Sequence, residues 1–442
     1  MLILKDNSTY SSTTDDVEKY FSLLDVANRN VSELIEENGN SLLIYPYSFR
    51  DCEDDAGKLQ LFSARTSWEK GRCTKINLET GNLVGFIGVR GQSVSIHSRF
   101  SQDSEKDYFL HYMLQKVFYI NVVNMMHGTS DEPIFDLLMF LFPRFLNEAL
   151  AQGVYKAYRR NEYNDANIRG VIDINRHIKN NIPFGGRVAY RTCEFSHDNH
   201  VTELIRHTIE YIGKSKFGRA LLENSAETRA DVAQIMSATP SYSRTEREEI
   251  IRKNQKIVRH PYFTRYTPLQ KLCLRILRHE RFKYGQNEDK IYGVLFDVSY
   301  LWEEYLATIL TKQGFEHPNN RKNIGRIYLA DFNKFPRYVD FFRKDGSIVV
   351  DAKYKAEIKR DDVHQVITYM YRLKSQYGMF IYPALQEHSI GTYSLLGYGE
   401  KDNAKLKAYF FYVPQNTVDY KDFIAEISVS ESKFREYMRN FN

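Results

Sequence analysis

Near the C-terminal end, Lys344-Asp345-Gly346-Ser347 separates two strand-like apolar runs, Tyr338–Phe342 and Ile348–Tyr354. Asp-Gly in that setting is a strong signal for a two-residue hairpin loop. With Asp345 and Gly346 in the loop, Lys344 faces Ser347 and Asp340 falls opposite Asp351. Directly opposed residues have Cβ atoms roughly 4.5–5.5 Å apart on one face. The turn alone therefore predicts two carboxylates that meet. Lys353 lies two residues beyond Asp351 and shares its face, as does Val349, while Val350 and Ala352 point to the other.

Opposed carboxylates repel, which costs stability unless something compensates. A divalent cation does so, and oxygen donors suit Mg2+ or Mn2+. An ammonium beside it can orient, or help deprotonate, an attacking water. Such an assembly can attack a phosphodiester, because the metal stabilises developing charge and makes water a better nucleophile. The competing reading is an ordinary hairpin with a salt-bridged lysine, since D-x-K is short and common.

The chain around this hairpin reads as mixed α/β. Its 442 residues fit two or three domains. Residues 1–100 form a β-rich module, with short runs at Leu42–Tyr45, Leu83–Val89 and Val94–His97 and turn residues at Gly81-Asn82 and Gly91-Gln92. Residues 101–290 are mainly helical. Phe109, Tyr112, Met113, Val117 and Ile120 recur at helical spacing, as do Phe135, Leu138, Phe142 and Phe145. Asp198 is positioned to cap a helix through Val201–Ile212 that ends near Gly213. Residues 291–442 begin with an amphipathic helix through Val298, Leu301, Trp302, Tyr305 and Ile309, and continue as strands around a helix at about 362–373.

The net charge of +5 permits nucleic-acid binding without arguing for it. Cys52, Cys73, Cys193 and Cys273 are too scattered for a disulfide framework or a zinc ribbon. No apolar run is long enough to span a bilayer, and no signal pattern opens the chain, so a cytoplasmic protein with no membrane partner is expected. Gly213-Lys214-Ser215 lacks the upstream glycine of a phosphate-binding loop, because position 208 is threonine, so this chain is expected to bind no nucleotide itself. Cys193, His197 and His200 lack zinc spacing. Lys156, Arg159 and Arg160, set among Tyr155 and Tyr158, read as a solvated helix face before a phosphate-contacting patch. His364 reads as a surface histidine.

Several ordered blocks together resemble the McrC family, the nuclease subunit of McrBC-type modification-dependent restriction systems. They are Ile168-Arg-Gly-Val-Ile-Asp173, Phe195–Asp198 leading into a helix, Leu301-Trp-Glu-Glu-Tyr305, Pro336-Arg-Tyr-Val-Asp340, Val350-Asp-Ala-Lys-Tyr354, Gln365–Tyr369 and Ile381-Tyr-Pro383. The resemblance begins near residue 105 and leaves the first hundred residues without a counterpart; a target-DNA reader or a docking module are both open for them.

The resemblance implies a PD-(D/E)xK endonuclease domain in 291–442 with Asp340, Asp351 and Lys353 as catalytic residues. It adds Glu303, ahead of Glu304, as an acidic residue from the preceding helix. Gln365 and Tyr369, at i and i+4 on one helical face, support the site or touch DNA. Asp340, Asp351 and the Ala352 carbonyl are the expected Mg2+ ligands. The implied partners are an McrB-like AAA+ GTPase ring, engaged by the middle region around Arg169-Gly170, and methylated double-stranded DNA. Two other readings compete: a regulatory adaptor that activates the ring without cutting, and a stand-alone nuclease.

Overall fold

The computed structural model describes residues 2–12, 17–38, 42–47, 59–70, 72–101, 107–118, 133–223, 225–282, 291–318, 325–355, 357–397 and 404–439. Cys52, Ile120 and residues 283–290 lie outside them. The chain is mixed α/β, as expected. It groups into two compact units, residues 1–126 with 289–442, and residues 127–288. This partition differs from the three segments read along the sequence.

One strand and one helix account for the difference, the helix Tyr108–Val117 joining the first unit through Tyr112 and Glu431. The first unit holds a five-stranded sheet built from β1 (Leu2–Lys5), β2 (Leu42–Tyr45), β3 (Leu83–Val89), β4 (Gln92–His97) and β5 (Tyr292–Asp297), in the order β1-β4-β3-β5-β2. Thus β5, which opens the last segment, completes a sheet begun by the first hundred residues. Its antiparallel pairing with β3 is close. Gly85 has φ +128°, and a Cβ there would meet the Val294 carbonyl oxygen at 2.4 Å, so only glycine fits. Leu4, Ile44, Ile87, Val94, Ile96 and Leu295 are buried together in its core.

Immediately after β5, Asp297 accepts hydrogen bonds from the Ser299 and Tyr300 backbone N–H groups and caps α1 (Val298–Leu310). A six-stranded mixed sheet follows. Its members are β6 (Phe315–Glu316), β7 (Phe341–Arg343), β8 (Ile348–Ala352), β9 (Tyr377–Ala384), β10 (Gly391–Ser394) and β11 (Lys405–Tyr412), in the order β6-β7-β8-β9-β11-β10. Helix α2 (Arg360–Leu373) joins the parallel pair β8 and β9, and α3 (Tyr420–Arg439) closes the described chain. Val366, Tyr369 and Met370 of α2 pack on Val349, Phe380 and Tyr382. Trp302 and Tyr305 of α1 meet Phe411, the neighbour of Phe410, so helices cover both faces.

The expected single strand Tyr338–Phe342 is two pieces. Lys334–Tyr338 pairs with Arg326–Ala330 in a separate ribbon, and β7 starts at Phe341. The chain changes sheets between them, and Asp340 sits at that break.

The second unit is not purely helical. Helices at Pro133–Leu150, which runs through Pro143, and at His200–Ile212, Ala226–Ala238 and Tyr266–Phe282 accompany a sheet of Ala157–Asp165, Val188–Ser196 and Val171–Ile172. Arg159 and Arg160 therefore lie on a strand, not a helix face. Arg159 pairs with Asp198 at 3.1 Å and Glu203 at 3.3 Å. The helix at 200–212 is capped by Asn199, one residue after the expected Asp198, because Asn199 and Thr202 form a reciprocal capping box. Among the described residues no helix is long and apolar enough to cross a membrane.

Candidate active site

The hairpin register is the one that the sequence predicts. Phe341 pairs with Val350 and Phe342 with Val349, which carries Asp340 opposite Asp351. The loop itself is wider than two residues. Lys344–Ser347 all lie outside the strands, Gly346 takes φ +72°, and its N–H donates to the Arg343 carbonyl at 2.9 Å. Asp345 braces this loop by accepting from the Ser347 N–H and hydroxyl at 2.9 and 2.7 Å. Such Asx bracing and the left-handed glycine stabilise the wider turn without changing the pairing.

Asp351 is 1% exposed. The Lys353 ammonium stands 2.7 Å from its Oδ2, while Oδ1 has no hydrogen-bond partner among the described residues. Asp340 places its Oδ2 2.8 Å from the Ala352 N–H, which donates to it. Burial raises the Asp340 pKa well above the ordinary value, and the negative charges of Glu303 and Asp351 raise it further. Burial likewise raises Asp351, against the opposing pull of Lys353. Both carboxylates thus carry the strain of like charges in a dry place.

Lys353 is held from both sides. Its ammonium donates to Gln365 Oε1 at 2.9 Å, and Gln365 Nε2 donates to the Tyr369 hydroxyl at 2.6 Å. That hydroxyl in turn donates to the Tyr338 carbonyl at 2.5 Å. The chain of donors leaves one orientation for the Gln365 amide, with its oxygen towards the lysine. Burial alone would lower the Lys353 pKa, but Asp351, Asp340 and Asp362 outweigh it and raise it.

The fold therefore brings Asp340, Asp351, Lys353, Gln365 and Tyr369 together, with Glu303 of α1 close enough to act on Asp340. Three neighbours escaped the sequence reading. His317 Nδ1 lies 2.9 Å from the Asp340 carbonyl oxygen and 3.9 Å from Glu303 Oε1, with its ring stacked on Phe341. Asp362 lies 3.9 Å from the Lys353 ammonium and 2.5 Å from that of Lys355. Tyr382 is fully buried, and among the described residues its hydroxyl has no partner. Asp362 was within reach of pattern reading, three residues before Gln365 on the same face of α2. His317 carries no local signal, because only the return of β7 brings it to Asp340.

Among the described residues no set of three histidine, cysteine, aspartate or glutamate side chains is placed to hold a metal ion. Even so, the donors fit a hard cation: two carboxylates, one with an orphaned buried oxygen. Magnesium commonly binds through one or two carboxylates, its other positions left to water and substrate phosphate.

Residues 78–383 match the family described as McrBC 5-methylcytosine restriction system component, and the chain belongs to that family. Its fold is similar to a chain of the half-complex from a tetradecameric assembly of Thermococcus gammatolerans McrB AAA+ hexamers with bound McrC. That likeness has 13% identity and a TM-score of 0.51, and covers 99% of each chain. A cryo-EM structure of the Thermococcus gammatolerans McrBC complex is matched at 13% identity and a TM-score of 0.31, over 70% of this chain and 87% of that one. No curated protein matches the chain.

Proposed function

We propose that this chain is the McrC-type DNA-cleaving subunit of an McrBC-like restriction system, and that the six-stranded sheet with its helices is a PD-(D/E)xK nuclease domain. The observation that carries this reading is the buried Asp351 carboxylate, with one oxygen unpartnered, opposite Asp340 and beside a doubly held Lys353.

Mg2+, or Mn2+ in its place, would be held by Asp340, Asp351 and the Ala352 carbonyl, and would stabilise negative charge developing on a phosphodiester. Lys353 has a definite division of labour with it. Its pKa is raised, so it stays an ammonium and is a poor proton acceptor near neutral pH. Its part is to orient the attacking water and offset charge. Gln365 and Tyr369 fix the ammonium by hydrogen bonds, and Glu303 sets the charge felt by Asp340. Asp340→Ala or Lys353→Ala should abolish cleavage of methylated duplex DNA while partner binding persists. Cleavage at the wild-type rate by either folded variant would remove this site from the reaction.

The partner in this reading is an AAA+ GTPase ring of the McrB type, whose hydrolysis the chain stimulates. The structural likeness to McrC bound to McrB hexamers supports it, as does the second unit. Val171, Ile174, Ile182 and Phe184 there are each about two-thirds exposed or more, an apolar face of the kind that marks a protein partner. The same face favours a second reading, in which the chain is a regulatory adaptor that activates the ring without essential cutting. GTP hydrolysis by the ring with a cleavage-dead Asp351→Ala chain separates the two roles.

A further inference from the structure

Phe62–Glu69, Arg72–Thr80 and Thr9–Ser11 form a three-stranded antiparallel sheet in the first unit, and beyond Ile76 the first two strands run on alone as a ribbon. Phe62, Ile76, Leu78 and Thr80 are buried on one face. Beyond Ile76 the ribbon runs past the core: every described residue from Arg65 to Lys70, together with Arg72 and Lys75, is exposed. Most of the ribbon's sequence precedes residue 78, where the family match begins.

Its chemistry is one-sided. Across the ribbon stand Arg65, Lys70, Arg72 and Lys75, against two carboxylates, Glu69 opposite Arg72 and Glu79 at the inner end. Among the described residues these four cations have no ion-pair partner, and like charges on one ribbon repel one another. A polyanion reverses that sign.

At the free end is Trp68, 56% exposed. The register slips between Ser67 and Trp68, so that Ser67 faces Lys75 and Trp68 faces Cys73, with Thr74 as the extra residue. A bulge of this kind re-aims the side chains around it. The indole N–H is tied to the Thr66 hydroxyl at 3.0 Å. A large ring held at the tip of a cationic ribbon presents apolar area that a bound partner would remove from water.

We infer that this ribbon is a duplex-DNA contact of the chain, with Arg65, Lys70, Arg72 and Lys75 on backbone phosphates and Trp68 against the groove wall or a base edge. A two-stranded ribbon fits the major groove, about 12 Å wide. The inference rests on the DNA-cleaving reading for the identity of the polyanion, and assigns the ribbon the task of holding substrate for a site in the same compact unit.

The chain's two tryptophans make the test direct, because Trp302 is fully buried and only Trp68 can report on a surface ligand. The full chain, with divalent ions chelated to prevent cutting, is titrated with a short duplex while tryptophan emission, acrylamide quenching and DNA anisotropy are followed at several salt concentrations. DNA should shield Trp68 from acrylamide, and Trp68→Phe should erase that signal. Trp68→Ala should weaken binding about tenfold, as for the loss of an apolar side chain buried on binding. Replacing Arg65, Lys70, Arg72 and Lys75 together by glutamine should lower the salt-dependence slope by about 3 to 4, close to 0.9 per lost phosphate contact. Unchanged thermal melting of the variants establishes that they fold.

Binding with an unmoved Trp68 signal and an unchanged slope in the quadruple variant overturns the ribbon contact and leaves the nuclease reading standing. No DNA binding by the wild-type chain, alone or with its ring partner, removes both.

Discussion

Asp340 is the residue whose environment says most about the chemistry. Burial and two neighbouring carboxylates raise its pKa, yet in the proposed reaction it must be ionised to hold the cation. Cleavage should therefore rise with pH along a limb lying above the ordinary carboxylate value of about 3.9. Glu303 is one cause of that rise, so Glu303→Gln should move the limb to lower pH; a Glu303 that only caps or packs would leave it in place. The same shift has a stability sign. A carboxylate with a raised folded-state pKa favours the fold when protonated, below its unfolded value, and opposes it as pH rises through the folded one. Without divalent ions, Asp340→Asn should melt above wild type near neutral pH, by about 2–4 °C per kcal/mol relieved. The difference should vanish near pH 4, about the ordinary carboxylate value. Gln365→Ala loosens Lys353 without removing it and should cost about 10–100-fold in activity, the usual scale for a residue that positions a metal-site group.

At the scale of elements, three helical segments are joined by one buried acid. Glu431 of α3, 1% exposed, accepts from the hydroxyls of Tyr112 at 2.8 Å and Tyr305 at 3.0 Å. Lys116 is 3.2 Å away, and Arg435 pairs with it as well. The acid ties the Tyr108–Val117 helix to α1 and α3. Glu431→Ala would leave two hydroxyls and two cations short of their acceptor. The cations are partly exposed and keep water, so the cost is that of two buried hydroxyls without an acceptor, about 2–4 kcal/mol, measured as a lower urea midpoint. The hairpin register and the D-A-K face were legible because an Asp-Gly turn and a period of two are local rules. The break at Val339–Asp340, His317 and the wider loop were not, because they depend on which sheet each strand joins. Strand β5 was hidden for the same reason: its partners lie some two hundred residues earlier, and no short pattern records such a pairing. The Arg169-Gly170 block was legible as a resemblance, and the fold adds its cause. A Cβ on Gly170 would meet the Arg191 carbonyl oxygen at 2.1 Å, and Asp173 then caps the helix Ile174–Asn181.

For the whole molecule, the two compact units divide the proposed work. The first carries the carboxylates and the cationic ribbon, and the second carries the exposed apolar face. Val171→Asp with Ile174→Asp should abolish ring binding and GTPase stimulation while leaving the first unit's cation binding unchanged, read by calorimetry with Mn2+. Parallel loss of both would mean that the substitutions unfold the chain. The measurement that bears most directly on the nuclease reading is cleavage of methylated and unmethylated plasmid by wild type and Asp351→Ala. Each is assayed with Mg2+, with and without the AAA+ partner and GTP. Cutting of methylated plasmid by the complete mixture alone, lost in Asp351→Ala, is the predicted result. No cutting under any condition, with GTP hydrolysis still stimulated, would contradict it and make the chain an adaptor.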